Sequence, residues 1–510
     1  MNIRYFSLFS LLICLSVGGK ATEKDSLSLI QKKWLIEQPV NQFMRDLYMH
    51  NPALRYYSAK TSISTIQLDG QTYRESEPIN WQKGEKYRHY SISAHTLREL
   101  SANSLVWGGA SYQNKTTKGL RFNNTSDYEK IAPYVLADTI GGQFYSETYQ
   151  FQGGYLHHFK SKLTLGLELN YRAEIGYKRQ DPRPKNIVSD LEFKLGISQA
   201  LKKHYLVGMG FYFQNYKQQN TIQFFSSHLT TPIYHLTGLG MRSMRFDGTF
   251  YGVQFDGISY GANLNFQPQN QRGWFAHTSW IHTKVDKRIS EWSNIPMNRL
   301  QSYLLEGTAG FQATHWAVKL VGEINTKEGT DYLYGKPQGR TLPKIGEEQL
   351  YNQEYLKVGI AGLWQTSFST KNLEWVIEPQ LSFQSLKESY DLPNRKLEKQ
   401  VLNIKLLSTL RKEFNTGALT WKAQVDIIPH LSHSIVMSEM EEDNPIRPLI
   451  EQQMTLVSKN EIAGHTSIRW DLPFLISQKV SLFTQLNWSG RFIDHYKPAQ
   501  QMGLTLGFIF

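Results

Sequence analysis

The sequence predicts an all-β chain closed into a transmembrane antiparallel barrel of about 18 strands, with 16 as the alternative, and three observations predict it. The chain begins with an export leader. Its remainder is dominated by long segments in which apolar and polar residues alternate. The connections between those segments alternate in length, short then long.

The leader comes first. Arg4 gives a positive start, Phe6 to Val17 form an apolar stretch too short to span a bilayer as a helix, and Gly19 and Ala21 supply the small residues of a cleavage site. Residues 1–21 are therefore expected to be a signal peptide. The single cysteine, Cys14, falls inside it, preceded by Leu12-Ile13, where a lipoprotein signal wants a small residue. Cleavage leaves no cysteine, which excludes a disulfide scaffold and a cysteine metal site. Twenty per cent charged residues beside 13% aromatics exclude a disordered chain. No run of 18 apolar residues occurs, which excludes a helical membrane protein. Residues 22–57 do not alternate. There Trp34, Val40, Phe43, Met44, Leu47 and Tyr48 suit an amphipathic helix after Pro39. This short N-terminal segment, periplasmic or lumenal, is expected to serve as a plug, a lid or a tether, and residues 58–510 as the barrel.

The strands follow. Leu163, Leu165, Leu167, Leu169, Tyr171, Ala173, Ile175 and Tyr177 share one face, and Thr164, Gly166, Glu168, Asn170, Arg172 and Glu174 share the other. Leu419, Trp421, Ala423, Val425 and Ile427 alternate in the same way with Thr420, Lys422, Gln424 and Asp426. One greasy and one charged face, on strands longer than those of ordinary globular sheets, is the pattern of a barrel with lipid outside and a polar lumen inside. The expected strands are 58–68, 86–98, 104–116, 141–159, 163–177, 188–200, 204–216, 248–266 and 273–288. They continue with 298–313, 315–327, 353–368, 373–389, 398–412, 417–430, 455–471, 477–491 and 499–510. Short connections such as 160–162 and 369–372 oppose long ones at 217–247, 328–352 and 431–454, which orients the barrel with the short turns in the periplasm. Segments 248–266 and 273–288 lose the clean alternation, as bulges would cause.

The last strand alternates strictly. Gln501-x-Gly503-x-x-Leu506-x-Phe508, ending in Phe510, resembles the C-terminal signal read by the outer-membrane barrel-assembly machinery, an exposed edge suited to strand addition. Three further stretches carry a family resemblance. They are Pro133-Tyr134-Val135-Leu136-Ala137-Asp138 with Gly141 to Tyr155, Tyr171-Arg172-Ala173-Glu174 through Asp181 to Asn186, and Leu236-Thr237-Gly238-Leu239-Gly240 with Arg245, Phe246 and Gly248. Together they resemble a functionally unassigned outer-membrane β-barrel family of Bacteroidetes-type bacteria, over essentially the whole mature chain. The resemblance implies fold and an outer-membrane location in a Gram-negative cell, and no chemistry. Asn51-Pro52-Ala53 is also similar to a motif of the long-chain fatty-acid transporter family, though three residues carry little and a capped turn into a strand accounts for them more simply.

No stretch demands catalysis, a cofactor or a metal. Gly257-Ile258-Ser259-Tyr260-Gly261 matches G-x-S-x-G, but the serine lies mid-strand with no helix after it. His430-x-Ser432-His433-Ser434 has the residue types of a hydrolase at a strand end, and a solvated edge accounts for them more simply. His157 and His158 are adjacent and point to opposite faces. Glu439-x-Glu441-Glu442-Asp443-Asn444 has oxygen ligands without the spacing of a calcium loop. The loop carrying Arg179, Asp181, Arg183 and Lys185, stiffened by Pro182 and Pro184, is the candidate extracellular anion contact, for a solute or a lipopolysaccharide phosphate; a rigid tip with Asp181 bridging an arginine is the alternative.

Function follows from the lumen. Inward charges such as Glu168, Arg172, Lys459, Glu461 and Arg469 are costly to bury dry, which favours a wet channel or transport component passing small solutes. The net charge of +12 tilts it towards anions. Mixed-sign rows can also pair across the lumen and seal it, as in a structural, assembly or secretion barrel; a membrane-embedded hydrolase is the third possibility. Expected partners are outer-membrane lipid and lipopolysaccharide, the assembly machinery, and a neighbouring transporter or surface lipoprotein. Nucleic acid is not among them.

Overall fold

The computed structural model describes residues 28–510 except 45–49, 59–60, 202–203, 227–230, 249–251, 293, 340–341, 369–371, 439 and 474–478. The signal-peptide expectation, with Cys14, and the placement of Leu47 and Tyr48 lie outside the described residues.

Eighteen antiparallel strands form one closed sheet. They are β1 (Ile63–Arg74), β2 (Lys86–Ser101), β3 (Ser104–Leu120), β4 (Gly142–His158), β5 (Leu163–Lys178) and β6 (Arg183–Leu201). Next come β7 (Tyr205–Gln223), β8 (Gly252–Pro268), β9 (Gly273–Ile289), β10 (Ile295–Gln312), β11 (Trp316–Tyr334) and β12 (Lys344–Phe368). The last are β13 (Leu373–Tyr390), β14 (Arg395–Phe414), β15 (Gly417–Ile428, continued by His430–Met437), β16 (Glu461–Pro473), β17 (Ser481–Ile493) and β18 (Ala499–Ile509). Pro429 has no N–H to give to the ladder, and it splits β15 into two pieces that both pair with β14. Each strand pairs with its neighbours in sequence, and β18 closes the circle on β1, with Leu506 opposite Leu68 and Phe508 opposite Ile66. Sixteen strands is thereby excluded.

The outward rows are the apolar ones. Leu165, Leu167, Leu169, Tyr171, Trp421, Val425, Ile427, Ile468 and Leu504 are all exposed, while Thr164 and Glu168 on the alternate row are buried inside. Trp274, Trp316, Trp364, Trp421 and Trp470 stand exposed near the short turns, forming an aromatic girdle at that end. Strands can cross lipid only when closed, since every backbone group must find a partner, and a greasy outer band ringed by aromatics is what the bilayer demands of their side chains. The protein is an integral outer-membrane barrel. No helix among the described residues is long and apolar enough to cross a membrane.

Several boundaries differ from expectation. The first strand runs Ile63–Arg74, because Pro52–Tyr57 form a 3-10 turn capped by Asn51, whose Oδ1 accepts the Ala53 N–H at 3.0 Å. The strand expected over 455–471 begins at Glu461, because Arg447–Val457 are helical. No bulge disturbs β8, which pairs without a shift on both sides; β9 shifts against β10 between Lys287 and Arg288. The alternation in β8 fails for another reason. Val253 and Phe255 face inward and are fully buried, because the lumen there is filled by protein.

Candidate functional site

The lumen is occupied at two levels. At the long-loop end, connection 121–141 and the described parts of 224–248 and 438–460 fold inward. Leu136–Ala137, Tyr234–Gly238 and Met241–Arg242 make a three-stranded sheet, with Leu136 opposite His235. Val135, Leu136, Ile233, Leu236, Ile446 and Leu449 share a core with Val188, Tyr216 and Phe255 of the inner wall. That core explains why long connections hold a fixed shape: they bury their own apolar surface.

Charged groups tie it to the wall. Lys178 Nζ meets Asp138 at 2.9 Å, with both side chains essentially excluded from solvent. Arg172 holds Asp127 through two nitrogens, at 2.6 and 3.0 Å, and also contacts Glu174 and Asp190; Lys130 joins Asp190 at 3.0 Å. The Asn124 carbonyl accepts from both Asn186 and Asn220. Across the lumen, the buried guanidinium of Arg395 donates to the carbonyls of Ser438 (3.0 Å) and Leu239 (2.9 Å), clamping two loops at once.

At the end bearing the chain termini the occupant is the N-terminal segment. Helix α1 (Leu29–Glu37) starts at a capping box, in which Ser28 Oγ accepts the Gln31 N–H while Gln31 Oε1 accepts that of Ser28. A short helix, α2 (Pro39–Phe43), follows. Trp34 donates to Glu374 at 2.9 Å, Lys319 donates to the Phe43 carbonyl at 2.8 Å, and Asn263 donates to that of His50 at 2.8 Å. Arg55 pairs with Glu168 at 3.0 Å, and the same carboxylate oxygen accepts from Trp107. Tyr56 stacks on His158 at 4.1 Å. These partners sit on β3, β4, β5, β8, β11 and β13, so the segment touches opposing walls. Its turn at Asn51-Pro52-Ala53 fits a notch made by three wall glycines. A Cβ on Gly196 would lie 2.1 Å from Asn51 Oδ1, one on Gly208 2.8 Å from Asn51 Nδ2, and one on Gly166 2.5 Å from the Ala53 nitrogen.

Residues 52–510, the whole barrel and the turn that enters it, match the family of unknown function DUF6850. The chain belongs to that family. No curated protein matches it in sequence. Among solved structures, the DUF6850 chain is similar to BauA, the ferric preacinetobactin receptor of Acinetobacter baumannii (TM-score 0.40, 9% identity, 89% of this chain and 80% of that one). It is similar also to the ferric citrate transporter FecA (0.39, 9%, 88% and 78%) and to a bacterial polysaccharide outer-membrane secretin (0.34, 9%, 88% and 98%). The cargoes belong to those proteins.

In this DUF6850 chain the three stretches that carry the sequence resemblance meet in space. Asp138 pairs with Lys178, Leu236 N–H reaches the Val135 carbonyl at 3.0 Å, and Asn186 holds Asn124. Arg183 and Lys185 lie on the outward row of β6 at the long-loop rim, beyond Ile187 and Leu191, and Arg179 lies in the turn that leads into it. Arg183 pairs with Asp181 at 2.7 Å and lies over Phe225, while Arg179 lies over Tyr145 at 4.4 Å. Asp181 also accepts the N–H groups of Ser226 and Phe225, and these with Arg183 hold its carboxyl below the usual range. Gln501, Gly503, Leu506 and Phe508 lie in β18, and the Phe510 backbone bonds to Ser64.

The other candidates disperse. Ser259 donates to Gln214 and accepts from Thr283. His430 and His433 bond to each other at 2.9 Å. His157 and His158 bond to Ser104 and Thr164 separately. Four of the five charges expected to face inward find partners: Glu168 with Arg55, Arg172 with Asp127, Arg469 with Asp471 and Glu37, and Glu461 with Arg491. Lys459 is not on the inward row, because the helix ending at Val457 delays the strand to Glu461 and leaves it in the connection. Asp127, Arg395 and Glu37 were missed from sequence, and Asp138 and Lys178 entered only as members of the resemblance stretches, with no role. A lone charge, whether in a loop such as Asp127 or at the end of a strand such as Lys178, carries no periodic signal of its partner.

Proposed function

We propose that this barrel is a gated transport component of the outer membrane, shut at rest by its own N-terminal segment. The observation that carries the reading is that residues 28–44 and 50–58 lie in the lumen and bond to walls on opposite sides. A diffusion pore has no use for such a crossing, whereas a pore opened on demand does. The test is single-channel conductance of the refolded mature barrel with and without residues 22–57. Silence that lifts on truncation is expected. Steady conductance in the full-length form, or silence in both, overturns it.

A sealed structural or assembly barrel is the second reading, favoured by the buried ion pair Lys178–Asp138 that fixes the loop closure. On that reading truncation opens nothing, and a neighbouring transporter or surface lipoprotein is the functional partner. Asn51-Pro52-Ala53, similar to the fatty-acid transporter motif, would favour an apolar cargo; the lysines of the inner wall favour an anionic one. The rim residues Arg179, Arg183 and Lys185, placed just beyond an apolar outward row, suit a lipopolysaccharide phosphate. Arg183→Ala with Lys185→Ala should then lower lipopolysaccharide retained on purification, and unchanged retention counts against the site. The β18 sequence ending at Phe510 is read as the barrel-assembly signal.

A further inference from the structure

Between α1 and the wall of β14 to β17 the lumen keeps a cavity of about 260 Å³. Four cations, Lys33, Arg411, Lys422 and Arg469, line it against two carboxylates, Glu37 and Asp471. Asp471 is committed to Arg469, whose Nε and Nη2 both donate to it at 2.7–3.1 Å. Glu37 stands differently. It belongs to the N-terminal segment, and it reaches across to Arg469 at 3.0 Å while Lys33 on its own helix holds it at 3.1 Å. Lys422 forms no ion pair among the described residues, although it lies close enough to act on both Glu37 and Glu378. Arg411 is taken by Glu413 at 3.0 Å, which leaves Lys422 as the wall cation open to a further anion, and the anion now seated at Arg469 is a side chain of the closing segment.

We propose that this cavity binds a small dianionic solute, which displaces Glu37 from Arg469 and so unlatches the segment. This rests on the reading that residues 28–58 close the lumen. Exchanging one carboxylate for another leaves Arg469 equally satisfied, so a monoanion gains little over Glu37. A second negative charge, reaching Lys422, is what Glu37 cannot supply. The cavity is smaller than sites for drug-sized ligands, which limits the solute to the scale of a short dicarboxylate.

The experiment records single channels of the full-length barrel with glutarate or succinate added on the side of the chain termini, and with glucose as the neutral control. Either dianion should raise the open fraction at least tenfold, and glucose should not. Glu37→Gln should open without any anion, and Lys422→Gln should move the midpoint of the anion response at least tenfold higher. If Glu37→Gln opens but neither dianion acts on the unmodified chain, the ligand site is refuted while the closure stands. If removal of residues 22–57 opens nothing in a barrel that still migrates as folded, the closure itself falls. An equal response to glucose also overturns the proposal.

Discussion

Replacing Gly196 by alanine tests the seat of the N-terminal segment with a single methyl group. That carbon would lie 2.1 Å from Asn51 Oδ1 and 2.8 Å from the Ala53 nitrogen, so the turn or the wall must move. The wall is held by ladders to β5 and β7 along its whole length, while the turn has only a few bonds of its own, so the turn moves. Overpacking of this kind costs about 1–3 kcal/mol, and at 1.4 kcal/mol per tenfold that shifts the seated fraction roughly 5- to 150-fold. The strand itself should gain up to about 1 kcal/mol from losing a glycine. Gly153, Gly307 and Gly322 provide the controls, since a methyl group there meets nothing within 4 Å. Conductance and protease cleavage within residues 28–58 read the seat, and loss of folded migration on heating reads the barrel. The expected result for Gly196→Ala is a raised open fraction and faster cleavage in a barrel at least as heat-stable as before, with the three control variants silent. Gly166→Ala should act likewise, and less than additively with Gly196→Ala, because both press on Ala53. If Gly196→Ala and Gly153→Ala behave alike, the segment is not seated in the glycine notch and the reasoning fails.

Other perturbations separate the two closures. Lys178→Met strands the buried carboxylate of Asp138 and should cost about 3–5 kcal/mol, seen as a lower urea midpoint and new cleavage within 121–141; adding Asp138→Leu should recover most of it. Arg395→Met removes donors to Ser438 and Leu239, so cleavage in 224–251 and 438–460 should rise together, and a rise in one alone would contradict the clamp. Acid should release the N-terminal segment. Burial works to raise the Glu37 carboxyl, but Arg469 and Lys33 outweigh it and hold the group below the ordinary range. A depressed carboxylate gives its stabilisation above its free value and loses it as pH falls through the value it has when seated. Conductance should therefore appear on acidification below the usual carboxylate range, and Glu37→Gln should show no such step.

The outer face was legible because lipid imposes one rule on every strand: each second residue is apolar. Leu163 to Tyr177 and Leu419 to Ile427 obey it, and their partners in space needed no further information. The inner face obeys no such rule. Where it meets folded loops it is apolar, as at Val253 and Phe255, and the alternation that marked other strands disappears at β8. Where it meets the N-terminal segment it is charged or bare, as at Glu168 and Gly196, and a charge that serves as a socket reads the same as a charge that faces water. Arg172 and Arg469 were recognised as inward, and the sequence offered no means of finding Asp127 or Glu37, which lie far along the chain and satisfy them. Helix α1 was missed because its start is set by Ser28 and Gln31, ahead of the proline that drew attention.

The two closures differ in how they are attached, and that difference assigns the moving part. The loop closure joins the wall through an ion pair with no access to water, asparagine side chains bonded to backbone, and a strand ladder between its own segments. Opening it would strand a buried charge and several buried carbonyls at once, a cost of several kcal/mol with nothing in the lumen to offset it. Among its described residues the N-terminal segment shares no strand pairing with the barrel. Its ion pairs, Arg55 with Glu168 and Arg469 with Glu37, keep partial contact with solvent on at least one partner, so water can replace each in turn. Its apolar contacts, Phe43, Met44 and Leu54 against Leu206, Phe275 and Val376, share in holding it. Contacts of that kind weaken progressively as a segment is drawn out, with no single charge left behind in the wall. A barrel built this way opens from the end of its termini, and the loop closure is the fixed wall against which that opening is measured.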